Sequence, residues 1–199
     1  MRQPFSVISG FFVRALLWLI PALALWYLAR AYVAVAPAWL AEAVMKALFP
    51  FWVHGSELHG TTQTLITGLT VPGAGGQIGE LAPEANVLTY AYGMPLLAAL
   101  FLAVRSKGLW WKIPLGTVAL LPFQAWGVCF TWLLQIGVRA AEATQAQTRF
   151  DAFDTNLIAA GYQLGFLLLP TLAPILIWLA LDHRLVQQVL VEGAMSAGE

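Results

Sequence analysis

From Ile113 to Val138 the chain reads IPLGTVALLPFQAWGVCFTWLLQIGV, an apolar stretch without one formal charge. At about 1.5 Å per residue, a helix of this length runs roughly 39 Å, which exceeds the hydrocarbon core of a bilayer and predicts a tilted crossing. Composition agrees. Hydrophobic residues make up 60% of the 199 and charged residues 10%, against roughly 25% charged in a soluble domain. The class is an integral membrane protein of one domain. A formal net charge of zero gives no footprint for nucleic acid. The single cysteine, Cys129, excludes an internal disulfide and any multi-cysteine metal site.

The rest of the chain falls into place around that span. Hydropathy predicts an all-α membrane fold with four transmembrane helices, at about 11–32, 87–104, 113–138 and 156–181. In the first, Arg14 and Arg30 lie close enough to the ends to snorkel toward headgroups. A cleavable signal peptide is the competing reading there, with Ala22-Leu23-Ala24 and Ala29-Arg30-Ala31 as candidate cleavage sites; the apolar run continues past both, which favours a retained helix. Residues 37–53 carry Glu42 and Lys46 one helical turn apart, a pattern suited to a helix lying in the interface plane, and Pro50 should end it.

Residues 54–86 are polar and rich in threonine and glycine. They predict a small extramembrane β-hairpin, in which Thr61–Val71 is joined through Pro72-Gly73-Ala74-Gly75-Gly76 to a returning segment, Gln77–Ala82. The glycine run resembles a phosphate cradle only superficially, because no lysine and no helix follow it. Lys and Arg counts place Arg2, Arg14, Arg105, Lys107, Lys112 and Arg184 on one side. Arg30, Lys46, Arg139 and Arg149, diluted by seven acids, fall on the other. The positive-inside rule then puts both termini, including the tail 182–199, in the cytoplasm, and segments 37–86 and 139–155 on the outer face of the membrane.

Chemistry-bearing residues are few. Cys129 is the candidate nucleophile, yet no base or cation lies near it in sequence to lower its pKa, and packing is the better reading. Gln124 and Gln135, eleven apart, share a helix face, and Gln163 lies near the outer end of the fourth helix. Amides in hydrocarbon predict cross-helix hydrogen bonds. Gly161 and Gly165 form a small-xxx-small pair for close helix approach. Candidate helix-packing or partner-interface residues are therefore Gln124, Trp126, Gly127, Gly161, Gln163 and Gly165. His54, Glu57 and His59 form an H-x-x-E-x-H run, but in an extended strand His54 points away from the other two, so no metal site is expected. Nothing in the pattern calls for a cofactor.

The motifs Asn86-x-x-x-Tyr90-x-Tyr92-Gly93-x-Pro95, Leu121-Pro122-Phe123-Gln124-Ala125-Trp126-Gly127-Val128-Cys129-Phe130 and Gly161-Tyr162-Gln163-x-Gly165 resemble those of the exosortase H-associated membrane protein family. The resemblance covers the second to fourth helices and the hairpin ahead of them. It implies a small bacterial inner-membrane protein encoded beside an exosortase, a multi-spanning cysteine transpeptidase that processes C-terminal sorting tails. That enzyme class pairs its membrane-embedded Cys with Arg and a further Arg or His in later helices, and no such residues follow Cys129 inside a span. The implied role is a non-enzymatic accessory subunit whose partners are membrane lipid, the transpeptidase and exported sorting tails. Two alternatives stand beside it: a small-molecule or lipid transporter or channel component, and a divergent cysteine peptidase or transpeptidase using Cys129.

Overall fold

A computed structural model describes residues 4–72 and 77–182, so the predicted tail 182–199 lies outside the described residues beyond Asp182. Helix α1 (Pro4–Leu28) and helix α2 (Arg30–Leu48) are separated by the single residue Ala29. Five strands follow: β1 (Val53–His59), β2 (Thr62–Thr67), β3 (Thr70–Pro72), β4 (Ile78–Glu80) and β5 (Glu84–Asn86). The short α3 (Leu88–Ala91) and α4 (Gly93–Ala103) lead to α5 (Leu109–Leu134), which closes in a π-helical turn, Gln135–Arg139. Then come α6 (Ala141–Thr148), α7 (Ala152–Gln163), a second π turn at Leu164–Leu168 and α8 (Leu169–Leu181). The fold class predicted from sequence holds: the chain is predominantly helical with two small antiparallel sheets.

Among the described residues, four helical segments are long and apolar enough to cross a membrane: Ser9–Leu28, Arg30–Leu48, Leu109–Arg139 and Ala152–Leu181. They differ in detail from the sequence reading. The helix predicted over 87–104 is interrupted at Tyr92, and its apolar part, Leu88–Ala103, is shorter than the other four. Residues 37–53 are not a separate helix. Residues 37–48 belong to α2, which starts at Arg30, carries Pro37 within it and stops two residues before Pro50. The fourth helix starts four residues earlier than predicted. Asp151 caps it, accepting from the Asp154 amide at 2.9 Å while Asp154 accepts from the Asp151 amide at 3.1 Å.

The chain divides into two compact units. One holds α1, Tyr92–Leu120 and the segment from Thr171. Its core is Phe11, Leu97, Leu100, Phe101, Leu120 and Trp178, with Phe11 and Trp178 stacked at 5.5 Å. Phe11 belongs to the face of α1 that packs on α4; its neighbours Phe12, Val13, Leu16 and Leu17 are exposed, as expected of a helix whose other faces meet lipid.

The second unit comprises Arg30–Ala91 and Leu121–Pro170. Along α2 the buried residues Ala34, Ala38, Ala41 and Met45 recur every three or four positions and make one small-residue stripe. Strands β1, β2 and β5 form an antiparallel sheet with β2 in the centre. Gln63 and Leu65 of β2 are fully buried. Gln63 donates from Nε2 to the Ala38 carbonyl at 2.9 Å and to Ser56 Oγ at 2.7 Å, and Trp132 Nε1 donates to the Gln63 carbonyl at 3.3 Å. The sheet is therefore bound into the same core as α2 and α5. The hairpin predicted from Thr61–Val71 survives in part: β3 pairs with β4, Thr70 opposite Glu80, while β2 pairs instead with β1 and β5. The period-2 pattern marks strands but leaves their partners open.

Candidate functional site

The predicted interface residues separate into a packed seam and two outliers. Trp126 Nε1 donates to the Gly161 carbonyl at 3.0 Å. A Cβ built on Gly161 would overlap the Phe130 ring, and one on Gly165 would stand 3.0 Å from Trp126 Cδ1 and 3.2 Å from the Gly127 Cα. A Cβ on Gly127 in turn would overlap the Tyr90 ring, whose hydroxyl bonds Thr131 Oγ1. Trp126 and Phe130 stack at 4.5 Å. Trp126, Gly127, Gly161 and Gly165 thus come together inside the second unit, where glycine lets α7 and its π turn approach α5.

The π turn has a local cause. Pro170 carries no N–H, and the chain meets it with a five-residue register in which the Leu169 amide donates to the Leu164 carbonyl. Gln163 stands outside the seam and is exposed. Gln124 is buried, yet neither its Oε1 nor its Nε2 has a hydrogen-bond partner among the described residues. Gln135 does not bond across helices as predicted. Its amide reaches β5, accepting from the Glu84 N–H at 3.2 Å and donating to the Glu84 carbonyl at 2.6 Å.

Beside the seam, between α2 and α5, lies a half-open cavity of about 420 Å³. Leu40, Val44, Met45 and Leu48 form one wall, and Pro122, Ala125, Trp126, Cys129, Phe130 and Leu133 the other. Two of these side chains carry a polar group: the Trp126 indole, whose N–H is bonded to the Gly161 carbonyl, and the Cys129 thiol, which donates to the Ala41 carbonyl at 3.6 Å. Among the described residues the lining includes no acid, base or cation that would stabilise a thiolate or accept its proton. The arrangement can accommodate apolar matter.

His54, Glu57 and His59 lie on β1 and are exposed, with the His54 ring against Gly68. Among the described residues no three His, Cys, Asp or Glu side chains are grouped to hold a metal.

Sequence reasoning missed a polar cluster in the first unit. Lys112, one turn into α5, forms a 2.9 Å ion pair with Asp182, directly after α8, and both are buried. Ser106 joins them, accepting from Lys112 Nζ at 2.8 Å and donating to Asp182 Oδ2. Lys112 reads in sequence as one cation of a basic loop, and its acid stands 70 residues away. The available signal was an acid placed immediately after the last apolar residue of a span.

Compared with known proteins, the chain matches the model of one family, exosortase H-associated membrane protein, over residues 5–185. No curated protein and no solved structure matches it.

Proposed function

The chain belongs to the exosortase H-associated membrane protein family, and from that premise we propose that it acts as a non-enzymatic accessory subunit of an exosortase-type sorting system, binding the transpeptidase or its exported substrate. The observation that carries this reading is the family match over residues 5–185. Two features of the chain support it. The Cys129 thiol faces apolar side chains and a backbone carbonyl, surroundings that favour a packing thiol over a nucleophile. Glycine-mediated packing and the buried Gln124 amide, rather than acids or bases, occupy the predicted interface region. The proposed setting is the bacterial inner membrane, with the strands and residues 139–155 outside and loop 105–108 in the cytoplasm.

The test is recovery of tagged protein from its native membrane in gentle detergent. A multi-spanning cysteine transpeptidase should co-purify with wild type and with Cys129→Ala alike. Loss of the cellular sorting phenotype in a stably inserted Cys129→Ala protein, with no transpeptidase recovered even after cross-linking, would overturn the proposal in favour of an enzyme using its own thiol.

The apolar cavity favours one second reading, a component that handles a lipid or another apolar small molecule. Reconstituted protein would then give flux, and Ala125→Phe, which fills the cavity, would abolish it. No flux from wild type sinks this reading and leaves the first untouched.

A further inference from the structure

The loop from Arg105 to Gly108, between α4 and α5, is braced from within. Arg105 (φ 54°) and Gly108 (φ 76°) both take the left-handed conformation. Glycine does so without strain, but arginine does so only where its surroundings enforce it. The enforcing contacts all centre on Ser106. Its amide donates to the Phe101 carbonyl at 3.1 Å, and its hydroxyl is tied into the buried Lys112–Asp182 pair. The Lys112 ammonium also sits 6.0 Å from the Phe101 ring centroid.

The consequence is an alternation of charge. The Lys112 cation is neutralised inside, whereas Arg105 and Lys107, flanking the inward Ser106, are exposed and have no ion-pair partner among the described residues. Three residues after Lys107, Trp110 is 83% exposed in the first turn of α5, where that membrane-length helix begins. An indole at the end of a span marks the headgroup level.

We propose that Arg105 and Lys107 form a seat for the headgroup of an anionic phospholipid, with Trp110 packed beside it at the membrane surface. Charge complementarity selects the occupant: the guanidinium offers a planar fork for phosphate oxygens, and the ammonium adds a point charge. Position selects lipid over an acidic protein segment, because the exposed indole ties the loop to the interface, where anionic headgroups are the abundant counterions. The left-handed Arg105 and the buried pair behind Ser106 fix the loop backbone from which the two cations project, which limits the backbone entropy lost on lipid capture.

The experiment uses the purified full-length chain in neutral detergent, titrated separately with phosphatidylglycerol, phosphatidylcholine and inorganic phosphate, and read by tryptophan fluorescence and native mass spectrometry. Wild type should bind phosphatidylglycerol in preference to phosphatidylcholine and show no response to inorganic phosphate, with the preference weakening as salt is added. Each cation at a membrane surface contributes roughly fivefold, so Arg105→Gln with Lys107→Gln should weaken phosphatidylglycerol binding about 25-fold. The thermal midpoint of that variant in phosphatidylcholine should be unchanged, showing that the fold is intact. Arg139→Gln, which removes an exposed cation elsewhere, should bind as wild type does. The proposal is overturned if the two lipids bind equally, if Arg139→Gln weakens binding as much as the loop variant, or if the loop variant keeps its phosphatidylglycerol affinity and instead loses a co-purifying protein.

Discussion

Gln135 holds the backbone of Glu84 by both ends of its amide, accepting the N–H at 3.2 Å and donating to the carbonyl at 2.6 Å. A glutamine in the π turn that closes α5 thereby occupies the place of a further strand along β5. Gln147 of α6 does the same to Thr70, with bonds of 2.9 Å from the amide and 2.8 Å to the carbonyl. Two exposed strand backbones are thus closed by side chains, which covers edges that would otherwise invite pairing. Replacing Gln135 by Leu should cost about 2 kcal/mol, roughly 1 for each of the two hydrogen bonds to Glu84. Hydrogen exchange is the sensitive readout: protection at residues 84–86 should fall while protection in α2 stays. Unchanged exchange at Glu84 would show that the clamp contributes nothing.

Gly161 packs against Phe130 with no room for a side chain. Gly161→Ala should therefore lower stability by about 1–3 kcal/mol through overpacking. Phe130→Leu alone should also destabilise, but in the double variant the smaller side chain makes room for the methyl group and the losses should not add. Strict additivity in thermal unfolding would mean that the two residues do not share this contact.

Lys112→Met leaves the Asp182 carboxylate buried without its ammonium partner, a loss of about 3–5 kcal/mol. Lys112→Met with Asp182→Leu removes both charges and should recover most of that stability. A double variant less stable than the single one would show that Asp182 is held mainly by other groups.

Gln124 makes the opposite prediction. Its buried amide has no partner among the described residues, so Gln124→Met, of similar shape, should raise the thermal midpoint, equivalent to about 1–3 kcal/mol. A fall in stability would reveal a bound water or a partner that satisfies the amide.

Cys129→Ala removes a small buried group and should cost about 1 kcal/mol by cavity formation. Recovery of the co-purifying transpeptidase should match wild type. A stability unchanged by the substitution but a lost partner would place the thiol at the contact.

Much of this was legible from residue order alone. Charge-free runs longer than a bilayer core determined the membrane class, because backbone in hydrocarbon must satisfy its own hydrogen bonds and so becomes helical. Threonine alternation marked where strands lie, while the turn predicted over 73–76 falls outside the described residues. The resemblance carried by the Asn86–Pro95, Leu121–Phe130 and Gly161–Gly165 segments pointed to the family that the match over residues 5–185 shows.

Tertiary structure decided which residues meet. Lys112 and Asp182, Gln135 and Glu84, and Trp126 and Gly161 stand 70, 51 and 35 positions apart, and no local periodicity encodes a contact over such separations. Gln124 and Gln135 look alike in sequence, yet one is buried without a partner among the described residues and the other clamps a strand. Local propensity specifies the elements; which polar group is satisfied, and by what, depends on the neighbours that packing supplies.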